Sequence, residues 1–115
     1  MKKLLILLFV CLSCSVFGQS DIYNIVEADF VHNNKLVTGY CAVIVVGETV
    51  HFEGIYDSNT QTLYVRSLTP KKLDRVGSYY IGKFWYSEDE LVVFTFTKSQ
   101  LSRIKKCKVS RITIL

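Results

Sequence analysis

The sequence predicts an all-β domain, an antiparallel meander of about seven strands rolled into a small barrel or folded into a sandwich, with one or two short helical turns. Three observations predict it. Beyond residue 20 the chain is a series of short β-branched and aromatic runs. Turn-forming residues separate these runs at hairpin spacing. No helical period lies between them, as a parallel α/β fold would require. Barrel and sandwich both stay open, because closure depends on register and shear.

The first segment stands outside that fold. Lys2 and Lys3, the apolar run Leu4 to Leu12, and Val16-Phe17-Gly18 before Gln19 read as a secretory leader and its cleavage site. Residues 1–18 are therefore expected to be removed, leaving residues 19–115 as a single exported domain in the periplasm or outside the cell. The apolar run is shorter than the roughly 20 residues that cross a bilayer, and no later segment is expected to span one. An alternative is a lipoprotein anchored through Cys14, because Leu12-Ser13-Cys14 is loosely like a lipidation box. Cys11 in place of an aliphatic residue, and the apolar Val16-Phe17 beyond Cys14, favour simple cleavage.

Ile22 to His32 alternates, with Ile22, Val26, Ala28 and Phe30 on one face and Glu27 and Asp29 on the other. Asn33-Asn34 then makes a tight turn, since asparagine tolerates left-handed backbone geometry. Leu36 to Val46 is apolar on both faces, which places it mid-sheet. Gly47-Glu48 turns the chain into Thr49 to Tyr56, with Val50, Phe52 and Tyr56 inward and Thr49, His51 and Glu53 outward. Thr62 to Leu68 is the next strand. Thr69-Pro70 suits the start of one helical turn running to about Val76, ended by Gly77. Tyr79 to Tyr86 and Leu91 to Lys98 form a hairpin around Ser87 to Glu90. A second helical turn is expected over Ser99 to Ile104, and Lys108 to Leu115 is the last strand.

Two of the 14 basic residues are Lys2 and Lys3, so the exported part carries twelve against ten acidic residues. That balance is too even to indicate nucleic acid, from which export also separates the domain. The distribution is uneven. Lys98, Arg103, Lys105, Lys106, Lys108 and Arg111 lie in a C-terminal segment without an acid, which suits internal complementarity or an anionic envelope component. Two cysteines remain after the leader, Cys41 and Cys107. In an oxidising compartment a lone pair is expected to form a disulfide, worth about 4 kcal/mol for a loop of about 67 residues. Their separation has none of the close spacing of a zinc site, and no metal or cofactor is expected.

Few residues carry catalytic potential. His32 sits in a predicted turn. His51 and Glu53, two apart on a strand, share a face and could act as a base with its orienter, or form a simple cross-strand ion pair. Glu27 with Asp29, and Glu88 to Glu90, lack an apolar setting that would split their pKa values. No nucleophile elbow or phosphate loop is present. The unusual feature is aromatic: seven tyrosines, one tryptophan and seven phenylalanines, concentrated at Tyr79, Tyr80, Phe84, Trp85 and Tyr86. Alternation puts Tyr80, Gly82, Phe84 and Tyr86 on a core face, where glycine permits close packing. Tyr79, Ile81, Lys83 and Trp85 fall on the other face. Lys83 marks that face as the wet one.

The segment from Val76-Gly77-Ser78-Tyr79-Tyr80 to Phe84-Trp85-Tyr86-Ser87-Glu88-Asp89-Glu90 resembles the loop-and-strand signature of the periplasmic C-type lysozyme inhibitor family. The likeness covers this segment alone. It implies a small exported barrel with a disulfide, and a role for Ser78 as the serine inserted into an enzyme cleft. The lysine that family carries after its tryptophan is absent, Ser87 standing roughly there. The leading expectation is an exported, non-enzymatic binding domain that contacts a protein, glycan or anionic envelope component through Tyr79, Ile81, Lys83 and Trp85. Inhibition of an extracytoplasmic hydrolase, and a small enzyme using His51 and Glu53, are the alternatives.

Overall fold

Three long strands, β1 (Asp21–His32), β2 (Lys35–Val46) and β3 (Thr49–Asp57), form an antiparallel meander that organises everything else. The structure, a computed structural model, describes residues 21–115; the expected leader and cleavage site, with Cys11 and Cys14, lie outside the described residues. Both meander turns have two residues. Asn33 and Asn34, at φ 52° and 61°, supply the left-handed pair of a type I′ turn, and Gly47 at φ 61° opens the other. These turns set the register that brings Val26 opposite Cys41 and Cys41 opposite Ile55.

Seven further short strands continue the ladder: β4 (Thr62–Val65), β5 (Lys71–Lys72), β6 (Asp74–Val76), β7 (Tyr79–Ser87), β8 (Glu90–Thr97), β9 (Lys105–Val109) and β10 (Arg111–Ile114). They make one ten-stranded sheet of order β10-β4-β3-β2-β1-β8-β7-β6, with β5 on β3 and β9 on β1. The fold is all-β, but it is a single sheet that is not closed, in place of the expected seven-stranded barrel or sandwich. The one helix among the described residues, α1 (Lys98–Leu101), is a single turn held by a capping box between Thr97 and Gln100.

The edges of the meander explain how one sheet buries two cores. Along β1, residues Asp21–Ile25 pair with β9 and Asp29–Val31 pair with β8. Along β3, His51 and Phe52 pair with β5, and Ile55–Asp57 pair with β4. Strands β7 and β8 curl over one face of the meander, where Phe52 meets Phe94 at 4.5 Å and Phe84 at 5.9 Å between ring centroids. Val26, Ala28, Cys41, Val43, Phe94 and Phe96 are wholly buried in this core. The opposite face carries a smaller core of Ile25, Ala42, Tyr56, Leu63, Val65 and Val109, covered by β4, β9 and β10.

Three expectations are corrected. The segment Thr69–Val76 is not a helical turn: Lys71–Lys72 reaches β3, Asp74–Val76 reaches β7, and Leu73 between them drops into the core with its N–H donating to Val50 O at 2.9 Å. A six-residue span that pairs with strands on both flanks gains more as extended chain than one helical turn could supply. The last strand is two strands. At Ser110 the chain leaves β1 for a parallel pairing with β4, and Gln61 O accepts from Ser110 N–H at 2.8 Å at the crossing. Finally, a bulge at Glu53 breaks the two-residue period of β3, so Phe52 and Ile55 share the first core while Tyr56 enters the second.

Gly82 pairs with Phe94 and faces it and Leu73 at close range. A Cβ there would overlap the Phe94 ring and sit 2.8 Å from Leu73 Cδ2. Gly82→Ala is expected to lower stability by about 1 to 3 kcal/mol in urea unfolding through overpacking. A change within experimental error would mean that β7 and β8 do not close onto Leu73.

Candidate functional site

The outer surface of β7 carries the side chains singled out in the sequence. Tyr79 is 52% exposed and Trp85 45% exposed, Lys83 is exposed and Ile81 half-buried, while Tyr80 and Phe84 on the reverse face are buried. Leu73 goes into the core and Val76 stays exposed beside Tyr79, so neither covers this surface. Register extends it across the sheet. Lys83 pairs with Val93, Val93 with Val31, and Val31 with Leu36; Trp85 pairs with Leu91, and Tyr79 with Thr97. The outcome is a four-stranded face with apolar side chains along two rows. Val31 and Leu36, exposed at its far side, were not singled out in the sequence. Only the β1–β8 pairing brings Val31 beside Val93.

A second feature lies farther along the same side of β1. Between Ile25, the last residue paired with β9, and Asp29, the first paired with β8, the outer edge of β1 has no ladder partner among the described residues. A cleft of about 350 Å³ opens there. Ile25, Tyr56 and Cys107 are its innermost residues, and Glu27, Tyr40, Arg103 and Lys105 stand around the rim. The Tyr56 hydroxyl donates to Lys108 O at 3.0 Å, and burial, with Cys107 and Asp57 nearby, pushes its pKa up, so it remains a neutral donor. The charge count had flagged Arg103 and Lys105. Nothing local in the sequence places Glu27 and Tyr40 beside them, because the cleft depends on the partner switch of β1.

The expected disulfide is absent: Cys41 and Cys107 are both free thiols. Cys41 stands in the row Val26–Cys41–Ile55 of the first core, whereas Cys107 packs with Ile25 and Val109 in the second. The two thiols thus belong to opposite faces of the sheet, which separates them. Burial pushes the Cys41 thiol far up, which holds it protonated. His51 and Glu53 are not joined by a hydrogen bond or ion pair among the described residues, and His51 Nδ1 is buried without a partner. Burial pushes the Glu53 carboxyl up. Among the described residues, the one ion pair is His32 Nε2 to Glu90 Oε2 at 3.3 Å, with Tyr86 edge-on to the imidazole. No group of three or more histidine, cysteine or carboxylate side chains among them could hold a metal ion.

Comparison with protein-family models, with curated proteins and with solved structures finds no match to this chain.

The thiols give a direct check on the two-sided burial. In the native protein, iodoacetamide is expected to label Cys107, which is half-buried, and to spare Cys41 until the chain is unfolded. Peptide mapping by mass spectrometry reads both. A peptide pair linked through Cys41 and Cys107 would contradict the placement of these residues in separate cores.

Proposed function

We propose that this domain is an exported, non-enzymatic interaction module that engages a protein partner outside the cytoplasm through the outer face of β7, β8 and β1. Tyr79, Ile81, Lys83 and Trp85 are its contact residues, extended by Val93, Val31 and Leu36. The observation that supports this reading is the exposure of Trp85 and Tyr79 on a face that nothing among the described residues covers. Contiguous apolar surface of this kind marks interaction sites, and tryptophan and tyrosine anchor them. The aliphatic rows beside the rings suit a protein better than a sugar, which would stack on the rings alone. Lys83 at the edge of the aromatic strand favours a partner with a carboxylate opposite it.

The position of Ser78 favours a second reading, inhibition of an extracytoplasmic hydrolase. Ser78 is exposed in the two-residue turn between β6 and β7, next to Tyr79, so it projects from the same end as the proposed contact face. Lysozyme activity measured with and without the purified protein tests that reading.

Trp85 is the only tryptophan, so its fluorescence reports this position alone. Red-shifted emission and ready quenching by acrylamide are expected. Trp85→Ala is expected to stay within about 1 kcal/mol of the parent in stability. The same variant should lose the protein that the parent retains from a cell-envelope extract. Blue-shifted, unquenched emission with a loss of about 3 to 5 kcal/mol would place Trp85 in a core and remove the basis of the reading. Retention by isolated cell-wall glycan, with no protein retained, would replace the partner class.

A further inference from the structure

We propose that the cleft between β1 and β9 is a second, separate binding site, built for a small monocarboxylate carried on a planar apolar body. It shares no residue with the Trp85 face and does not rest on the reading given above.

The walls define the ligand. Ile25 and Tyr56, both buried beneath the opening, offer an apolar and aromatic floor, and the exposed ring of Tyr40 stands beside them for a planar group to pack against. Arg103 reaches the rim from the segment between α1 and β9 and Lys105 from the first position of β9, and neither side chain has an ion-pair or hydrogen-bond partner among the described residues. Glu27, also on the rim, is the opposing charge. Two cations against one carboxylate leave a single positive charge, which matches a monoanion; a second negative charge on the ligand would be repelled by Glu27. A volume of about 350 Å³ holds a ring with a short acidic arm and little more.

The cleft is also a product of the fold rather than an accident of surface side chains. It sits where β1 must exchange β9 for β8, so its position follows from the ladder that covers both faces of the meander. Lys105 pairs with Ile25 in that ladder, which ties one rim cation to the floor by strand register. The guanidinium of Arg103 offers a bidentate fork for a carboxylate, and Lys105 a point charge beside it.

Phenylacetate is the probe, titrated into protein purified from cells expressing the full chain and followed by amide chemical shifts. Saturable shifts are expected at residues 25–27, 40 and 103–107. Arg103→Gln and Lys105→Gln should each weaken binding about three- to tenfold, and added salt should weaken it further. Glu27→Gln, which removes the competing carboxylate, should tighten binding. All three side chains are exposed, so the variants should keep the parent spectrum outside the cleft. Inorganic phosphate, an anion without the ring, and phenethylammonium, the ring with the charge reversed, should both bind less tightly than phenylacetate. Bound phenylacetate should also slow iodoacetamide labelling of Cys107, while Trp85→Ala should leave its affinity unchanged. Equal affinity for phenylacetate and phenethylammonium, no effect of Arg103→Gln and Glu27→Gln, or shifts confined to β7 and β8 would each overturn the proposal.

Discussion

Three consecutive residues of β2, Cys41, Ala42 and Val43, are wholly buried, and they are buried from opposite sides. Cys41 and Val43 face the curl of β7 and β8; Ala42 faces the cover made by β4, β9 and β10. At these three positions β2 has no wet face, so the chain must cover the centre of the meander twice. Each fully buried aliphatic or aromatic side chain of the kind found in these cores contributes about 1.5 to 3 kcal/mol relative to exposure. The larger core, with Phe52, Phe84, Phe94 and Phe96, therefore supplies most of the burial energy. The smaller one, with Tyr56 and Leu63, holds the C-terminal strands in place.

That double cover dictates the features proposed as functional. Since β1 and β3 each divide one edge between two partners, neither cover spans the whole meander. The curl of β7 and β8 buries their inner face and leaves their outer face bare, where Trp85, Lys83, Val93 and Val31 lie in register. The partner switch on β1 leaves Glu27 in a gap, and the chain crossing that gap brings Arg103 and Lys105 to it. Both surfaces are thus on the same side of β1, one beyond each end of the switch.

Much of the local structure was legible. Asn33-Asn34, Gly47-Glu48 and Glu88-Asp89 each announce a tight turn, and the alternation of β7 correctly divides Tyr80 and Phe84 from Tyr79 and Trp85. The double apolar pattern of Leu36 to Val46 marks a strand covered on both faces only at its centre, Cys41 to Val43; Leu36, Val37, Val45 and Val46 stay exposed toward its ends. Long-range pairing was not legible. Thr69-Pro70 is a fair helix start by local rules, yet Lys71 to Val76 is claimed by β3 and β7. The change of partner at Ser110 depends on Gln61, far away in the chain. The bulge at Glu53 reverses the facing of Tyr56, which a strict two-residue period puts beside Phe52. Two cysteines alone after an expected leader suggest a bond; the fold instead puts them in separate cores on opposite faces of one sheet.

If β2 is held from both sides, neither core can open without exposing it, and the domain must unfold as one unit. Native-state hydrogen exchange resolved by residue tests this most directly, with the amides of Cys41, Ala42 and Val43 compared with the global stability from urea unfolding. The account predicts that these three exchange only through complete unfolding, with opening free energies equal to the global value. Exchange of these amides through a lower-energy opening, in which β4, β9 and β10 detach while the larger core persists, would contradict it.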